Sequence, residues 1–242
     1  MDAGQDGSLT TATTGGRSVW KNFSDAIFAP GETFEDVGRR PWILVPLLLL
    51  MAAVLIVSWF HMPVWSEIQT IKVAANPDLS PEQREAAVAG MEKFMWVGLL
   101  VTPVGFALVL AVSALIFWGW AAISGARNAD YKVAYSSLIF ASVVIVLQMV
   151  LQAVVIGIKG AGQVAREGGP PLFGLSLFLD RDDFPRLVWG LLASLNFFSI
   201  WYTVLVVIAG VHALKMSRGS AIAVAAAMFL VGAVVLSFQG AT

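Results

Sequence analysis

The chain has 242 residues, 58% of them hydrophobic and only 13% charged, with a net charge of −1. A soluble domain carries about 25% charged residues, so a water-covered globule is excluded, and near-neutrality excludes a large basic surface for nucleic acid. The lack of any cysteine excludes disulfide frameworks, thiolate metal sites and cysteine nucleophiles.

Residues 1–17 are mostly Gly, Thr, Ser and Asp and read as a disordered tail. From Ser18 the pattern changes. Trp20, Phe23 and Ile27 recur at helical spacing with Lys21, Asn22 and Asp25 on other faces, which predicts a short amphipathic helix. Pro30-Gly31 breaks it, and a second short helix from Glu32 to about Gly38 carries Phe34 and Val37 on one face until Pro41 ends it. Segment 18–41 is thus expected to be a cytoplasmic, interfacial stretch, with Phe28, Phe34 and Val37 in the headgroups.

Five stretches, 41–66, 94–126, 133–158, 187–214 and 219–242, contain no Asp, Glu, Lys or Arg, and each is at least 24 residues long. A spanning helix needs about 20. The expected fold is therefore an all-α integral membrane protein with five transmembrane helices, at about 42–60, 94–123, 133–158, 187–214 and 220–238. The first run starts too late for a secretory signal, and no small-residue cleavage site follows it. Pro46 lies in the first turn of span one, where its missing N–H costs little. The connection 61–93 ends in a helix start, with Ser80 as N-cap, Pro81 at N1 and Gln83 at N3. That helix runs towards span two, where Pro103 predicts a kink. The Gly- and Pro-rich segment 159–186 holds an apolar patch, 172–179, too short to cross and expected at the interface.

Loop charge sets the orientation. Arg39, Arg40, Arg127, Lys132, Lys215 and Arg218 flank span ends on one side, which places the N-terminus in the cytoplasm and the C-terminus outside. Trp42, Trp59, Trp96, Trp118, Trp120 and Trp189 fall near span ends, as an aromatic belt does.

Three stretches carry a resemblance. "FAPGETFEDVGRRPWILVP", residues 28–46, has Pro30, Phe34 four residues on, and Pro41 just before the first span. "LNFFSIWYTVLVVIAG", residues 195–210, has Asn196, Phe198, Trp201 and Gly210 at characteristic spacings. The polar turn before "YKVAY", residues 131–135, is a weaker third. Together they resemble the Ypt/Rab-interacting protein (Yip) domain family in its bacterial branch. Asn196 stands where that family usually has Asp, keeping the hydrogen bonding without the charge. The resemblance implies a five-helix membrane domain with a cytoplasmic N-terminus. Eukaryotic relatives are linked to Rab GTPases and vesicle traffic. Their Asp-Leu-Tyr-Gly-Pro-like motif is missing here, so GTPase binding is not carried over.

Polar groups inside spans are functional candidates by default. Gln148 and Gln152 lie four apart on one face of span three, and Asn196 falls at matching depth in span four. A hydrogen bond between the Gln148 and Asn196 side-chain amides is expected, mainly as interhelical glue, with a substrate site as the alternative; Trp201 belongs to the same polar set. His61 and His212 fall at opposite membrane faces, which leaves no two-histidine metal site. His212 suits a helix C-terminus. Asp183, beside Asp180 and Asp182, is expected to cap a helix. Arg39 and Arg40 can meet lipid phosphates, with Pro30, Phe34, Pro41 and Trp42 completing the interfacial candidates. Ala107/Ala111 and Ala221/Ala225 have the small-xxx-small spacing of close helix packing.

No nucleophile set, metal motif or phosphate loop occurs, and no charge lies inside a span, against ion-coupled transport. The sequence predicts no catalysis and no cofactor. It predicts a scaffold or accessory subunit in a bacterial cytoplasmic (inner) membrane, contacting lipids and either other membrane subunits or itself. The alternative is a permease-like transporter of a lipid or small neutral solute.

Overall fold

A computed structural model of the protein describes residues 18–167, 169–171, 173–175, 178–179 and 183–239. The tail 1–17, Asp180 and Asp182, and part of the 172–179 patch lie outside the described residues. Among the described residues ten helices run in chain order: α1 (Val19–Phe28), α2 (Pro30–Arg39), α3 (Leu44–Ala75), α4 (Pro81–Ile123), α5 (Tyr131–Ala141), α6 (Val143–Lys159), α7 (Ala161–Arg166), α8 (Arg186–Ser194), α9 (Phe197–His212) and α10 (Arg218–Gln239). Among the described residues the one β-type pairing is an isolated bridge between Gly174 and Asn196.

Among the described residues four helical stretches are long and apolar enough to cross a membrane: Leu44–Ala75, Lys93–Ile123, Tyr131–Lys159 and Arg218–Phe238; the apolar helix Phe197–His212 is shorter. Leu48, Leu108, Val154 and Val231 are all more than half exposed, an apolar outer surface that only lipid covers favourably. This is a multi-pass membrane protein.

Two expected spans take a different form. Span one does not stop near Phe60, because α3 continues to Ala75. Pro63 removes a single backbone donor, while Thr70 bonds back to the Ser66 carbonyl at 3.0 Å, and Val64 and Ile68 pack on Val164. Helix α4 answers it. The capping box is complete, with the Gln83 N–H donating to Ser80 Oγ and the Ser80 N–H to Gln83 Oε1, and the helix runs unbroken through Pro103. Residues 61–75 and 81–95 thus form a helical hairpin reaching about 22 Å past the Trp59–Trp96 ring pair, whose centroids are 5.1 Å apart.

The fourth charge-free stretch is not one helix. It breaks at Leu195-Asn196 into α8 and α9. Asp183 does not cap α8: the N-cap is Pro185, with no side-chain bond, since the helix begins two residues beyond the reach of an Asp183 cap.

The chain enters at what we call the near end, where α1, α2 and the turns 124–130 and 213–217 meet; α7 and the tip of the hairpin lie at the far end. The main core joins Phe34, Leu110, Phe117, Leu138, Phe140, Leu205 and Ala221 from five helices. Helix α5 packs on α4 through tyrosines: Tyr131 donates to the Ala111 carbonyl at 3.2 Å and Tyr135 to that of Ala107 at 3.3 Å. Alanines at these positions leave those carbonyls reachable. Helix α8 lies so close to α10 that a Cβ on Gly190 would meet the Ala233 carbonyl oxygen and Ser237 Cβ at 2.6 Å.

Gly190→Ala should therefore destabilise the detergent-solubilised protein by about 1–3 kcal/mol through overpacking. Gly119→Ala, where a Cβ meets open space, should be neutral or stabilise by up to about 1 kcal/mol. Thermal unfolding of the two variants checks the contrast.

Candidate functional site

The entry segment is built into the bundle. Helix α1 starts under a Ser18 cap, whose Oγ accepts the Lys21 N–H, and α2 starts with Pro30 at its first position. The expectation that Phe34 and Val37 lie in the headgroups is wrong: both are fully buried and sit in the main core. The apolar face of α2 finds α9 and α5 instead of lipid. Asn22, read as surface polar, is also fully buried, and its Nδ2 donates to Asp36 Oδ2 at 3.0 Å to tie α1 to α2. Phe23 packs on Phe140 at 4.9 Å between ring centroids.

Asn128, in the turn between α4 and α5, closes this end. Its Nδ2 donates to the Gly38 carbonyl at 3.0 Å and to the Ala213 carbonyl at 2.8 Å, while its backbone N–H donates to the Leu214 carbonyl at 3.1 Å. One carboxamide therefore satisfies terminal carbonyls of two helices, groups that helix geometry leaves orphaned. Gly38 is required there, because a Cβ would lie 2.9 Å from the Ala213 carbonyl oxygen. Ser136 Oγ then donates to the Trp42 carbonyl at 2.7 Å, fixing the exit into α3. His212 Nδ1 lies 3.5 Å from Glu35 Oε1, which puts the helix-end histidine beside a carboxylate of α2.

What remains outside is the outer face of this docked pair. Phe28 is 84% exposed and Trp20 69%; Arg39, Arg40, Pro41 and Trp42 are exposed and Pro30 half-buried. Arg39 reaches Glu35 at 3.8 Å.

The intramembrane polar set is dispersed. The expected Gln148–Asn196 bond is replaced by a cap: Asn196 Oδ1 accepts the Ser199 N–H at 2.9 Å, and Nδ2 donates to Ser199 Oγ and the Ala193 carbonyl. Both of its N–H groups are spent at the break, where the first turn of α9 needs a partner. Phe173 and Gly174 press on this break; Gly174 bridges Asn196 and the Phe173 ring stands edge-on to Phe198. This part of the loop thus packs into the fold. Gln152 is buried and its Nε2 donates to the Pro171 carbonyl at 2.9 Å. Gln148 lines a separate cavity of about 450 Å3 with Ser199, Tyr202 and Thr203. Trp201 stacks on Phe197 at 6.4 Å. Among the described residues no group of three His, Asp or Glu side chains could hold a metal ion.

Sequence reasoning missed Asn128, though the Gly-Ala-Arg-Asn-Ala-Asp turn was in view. An Asn in a turn commonly bonds its own backbone, and nothing local tells that it reaches across the fold. Asn128→Ala and Asn128→Asp, which both lose the donor, should each cost about 1–3 kcal/mol by orphaning two carbonyls. Limited proteolysis should then cut within residues 18–43 before the rest of the bundle opens.

The Yip1 domain family model matches residues 24–239, from within α1 to the end of α10. No curated protein and no solved structure matches the chain. The match runs through both helices of the entry segment, the Asn128 turn and the broken helix at Asn196, and the chain belongs to the Yip1 domain family.

Proposed function

We propose that the protein is a non-catalytic scaffold or accessory subunit of a larger membrane assembly, and that its docking surface is the outer face of α1–α2. The observation that carries this reading is the anchorage of that pair. Phe34 and Val37 in the core and Asn128 on the Gly38 carbonyl anchor the backbone that carries Trp20, Phe28, Arg39 and Arg40. A backbone already anchored loses little freedom on binding, which favours recognition of a protein partner. The same surface meets lipid headgroups through Arg39 and Arg40.

We further assign five crossings, with α8 and α9 together as the fourth. Helix α9, at 16 residues, covers about 24 Å, and α8 supplies the remainder of a hydrocarbon core of about 30 Å. The backbone break at Asn196 is tolerable in a membrane because it is capped and buried in protein. Arg39, Arg40, Arg127, Lys132, Lys215 and Arg218 gather at the near end, which supports a cytoplasmic N-terminus and an outer C-terminus. The resemblance to the bacterial branch supports the cytoplasmic membrane of a bacterium. The broken helix favours a second reading, a permease for a lipid or small neutral solute, since broken helices build midplane sites in transporters.

The combined variant Trp20→Ser, Phe28→Ser, Arg39→Glu, Arg40→Glu should keep its unfolding temperature and lose its stoichiometric membrane partner on purification in mild detergent. A wild-type protein that purifies without a partner and moves solute in liposomes would replace the scaffold by the permease. A single cysteine at Ser217, in a chain that has none, should react with an impermeant reagent only after the cytoplasmic side is opened.

A further inference from the structure

Towards the far end, helices α3, α4, α6, α8 and α10 surround a cavity of about 620 Å3. Its polar wall is Ser58, His61, Thr102, Gln152 and Ser237, and the remainder is Met, Leu, Trp, Gly, Ala and Pro. No Asp, Glu, Lys or Arg lines it among the described residues, so an ionic ligand would meet no compensating charge.

One acceptor in the polar wall is buried without a partner among the described residues. His61 is 6% exposed. Its Nδ1 lies 2.9 Å from the Val57 carbonyl, and a carbonyl only accepts, so Nδ1 carries the proton and Nε2 of the neutral ring is an acceptor. That Nε2 is buried without a partner. Gln152, 9% exposed, commits its Nε2 to Pro171, which leaves it no free hydrogen on that side of the wall beyond the second N–H of the amide. Thr102 and Ser237 spend their hydroxyl protons on the Gly98 and Val234 carbonyls. An orphaned acceptor in an apolar wall is costly, and the matching ligand brings its own hydrogen.

We propose that this cavity binds the hydroxyl head of a neutral amphiphile, a lipid alcohol drawn from the bilayer. His61 Nε2 accepts its hydroxyl hydrogen, and Trp65, Trp189 and the methionines pack its first carbons. The site is separate from the docking face at the near end and does not depend on the scaffold reading. Gly98 gives an independent handle: it lines the cavity, and a side chain there meets open space.

The test uses the purified full chain in mild detergent with 11-bromoundecan-1-ol as probe, whose bromine quenches tryptophan. Quenching should saturate. Its half-saturation concentration should rise about tenfold in His61→Phe, the loss expected for one hydrogen bond. Gly98→Leu should abolish saturable quenching with the unfolding temperature unchanged, and Trp20→Phe, at the other end, should leave the half-saturation concentration unchanged. 1-Bromoundecane and 11-bromoundecanoate should quench only in proportion to their concentration. Saturation by either at the same concentration as the alcohol would overturn the proposal, as would wild-type quenching by the alcohol in Gly98→Leu.

Discussion

The near end depends on one side chain. The Asn128 carboxamide holds two carbonyls 90 and 85 residues away in sequence, and so joins the entry helices, the turn between α4 and α5, and the end of α9. Each of these arrives with unsatisfied backbone groups that water cannot easily reach once Phe34 and Val37 are seated. Apolar burial brings the segments together, and the amide fixes their register. Lipid-facing surfaces elsewhere contribute little driving force to helix association, so such directed bonds and close approaches carry specificity.

Legibility in the sequence followed the range of the interaction. Charge-free runs mark the apolar helices, and the Ser80–Gln83 cap can be read because its partners are three residues apart. The alanines spaced four apart in α4 were visible as small residues, though not as carbonyls serving Tyr131 and Tyr135. Composition cannot tell a helix face turned to headgroups from one turned to protein, and Phe34 and Val37 suit either; burial against α5 and α9 decides it. Asn196 failed as an interhelical partner for a related reason. A polar side chain within a charge-free run reads as helix interior, whereas here it marks a helix start. The cap is signalled only by the Asn-x-x-Ser spacing, which hydrophobicity hides.

The two ends differ in kind. At the near end Asn128 joins three segments and the packing admits no added Cβ at Gly38, although Asn22 Oδ1 and Thr33 Oγ1 are buried there without a partner among the described residues. Towards the far end, α3, α4, α6, α8 and α10 diverge around open volume and His61 keeps a bare acceptor. Family membership covers both ends alike.

The hairpin of α3 and α4 links those surroundings to the space beyond the bilayer. His61 and Trp65 sit at the base of one arm and Met95 and Gly98 at the base of the other, and each arm continues as unbroken helix to the turn at residues 76–80. The hairpin thus extends two walls of the cavity, as continuous helices, to a tip about 22 Å away.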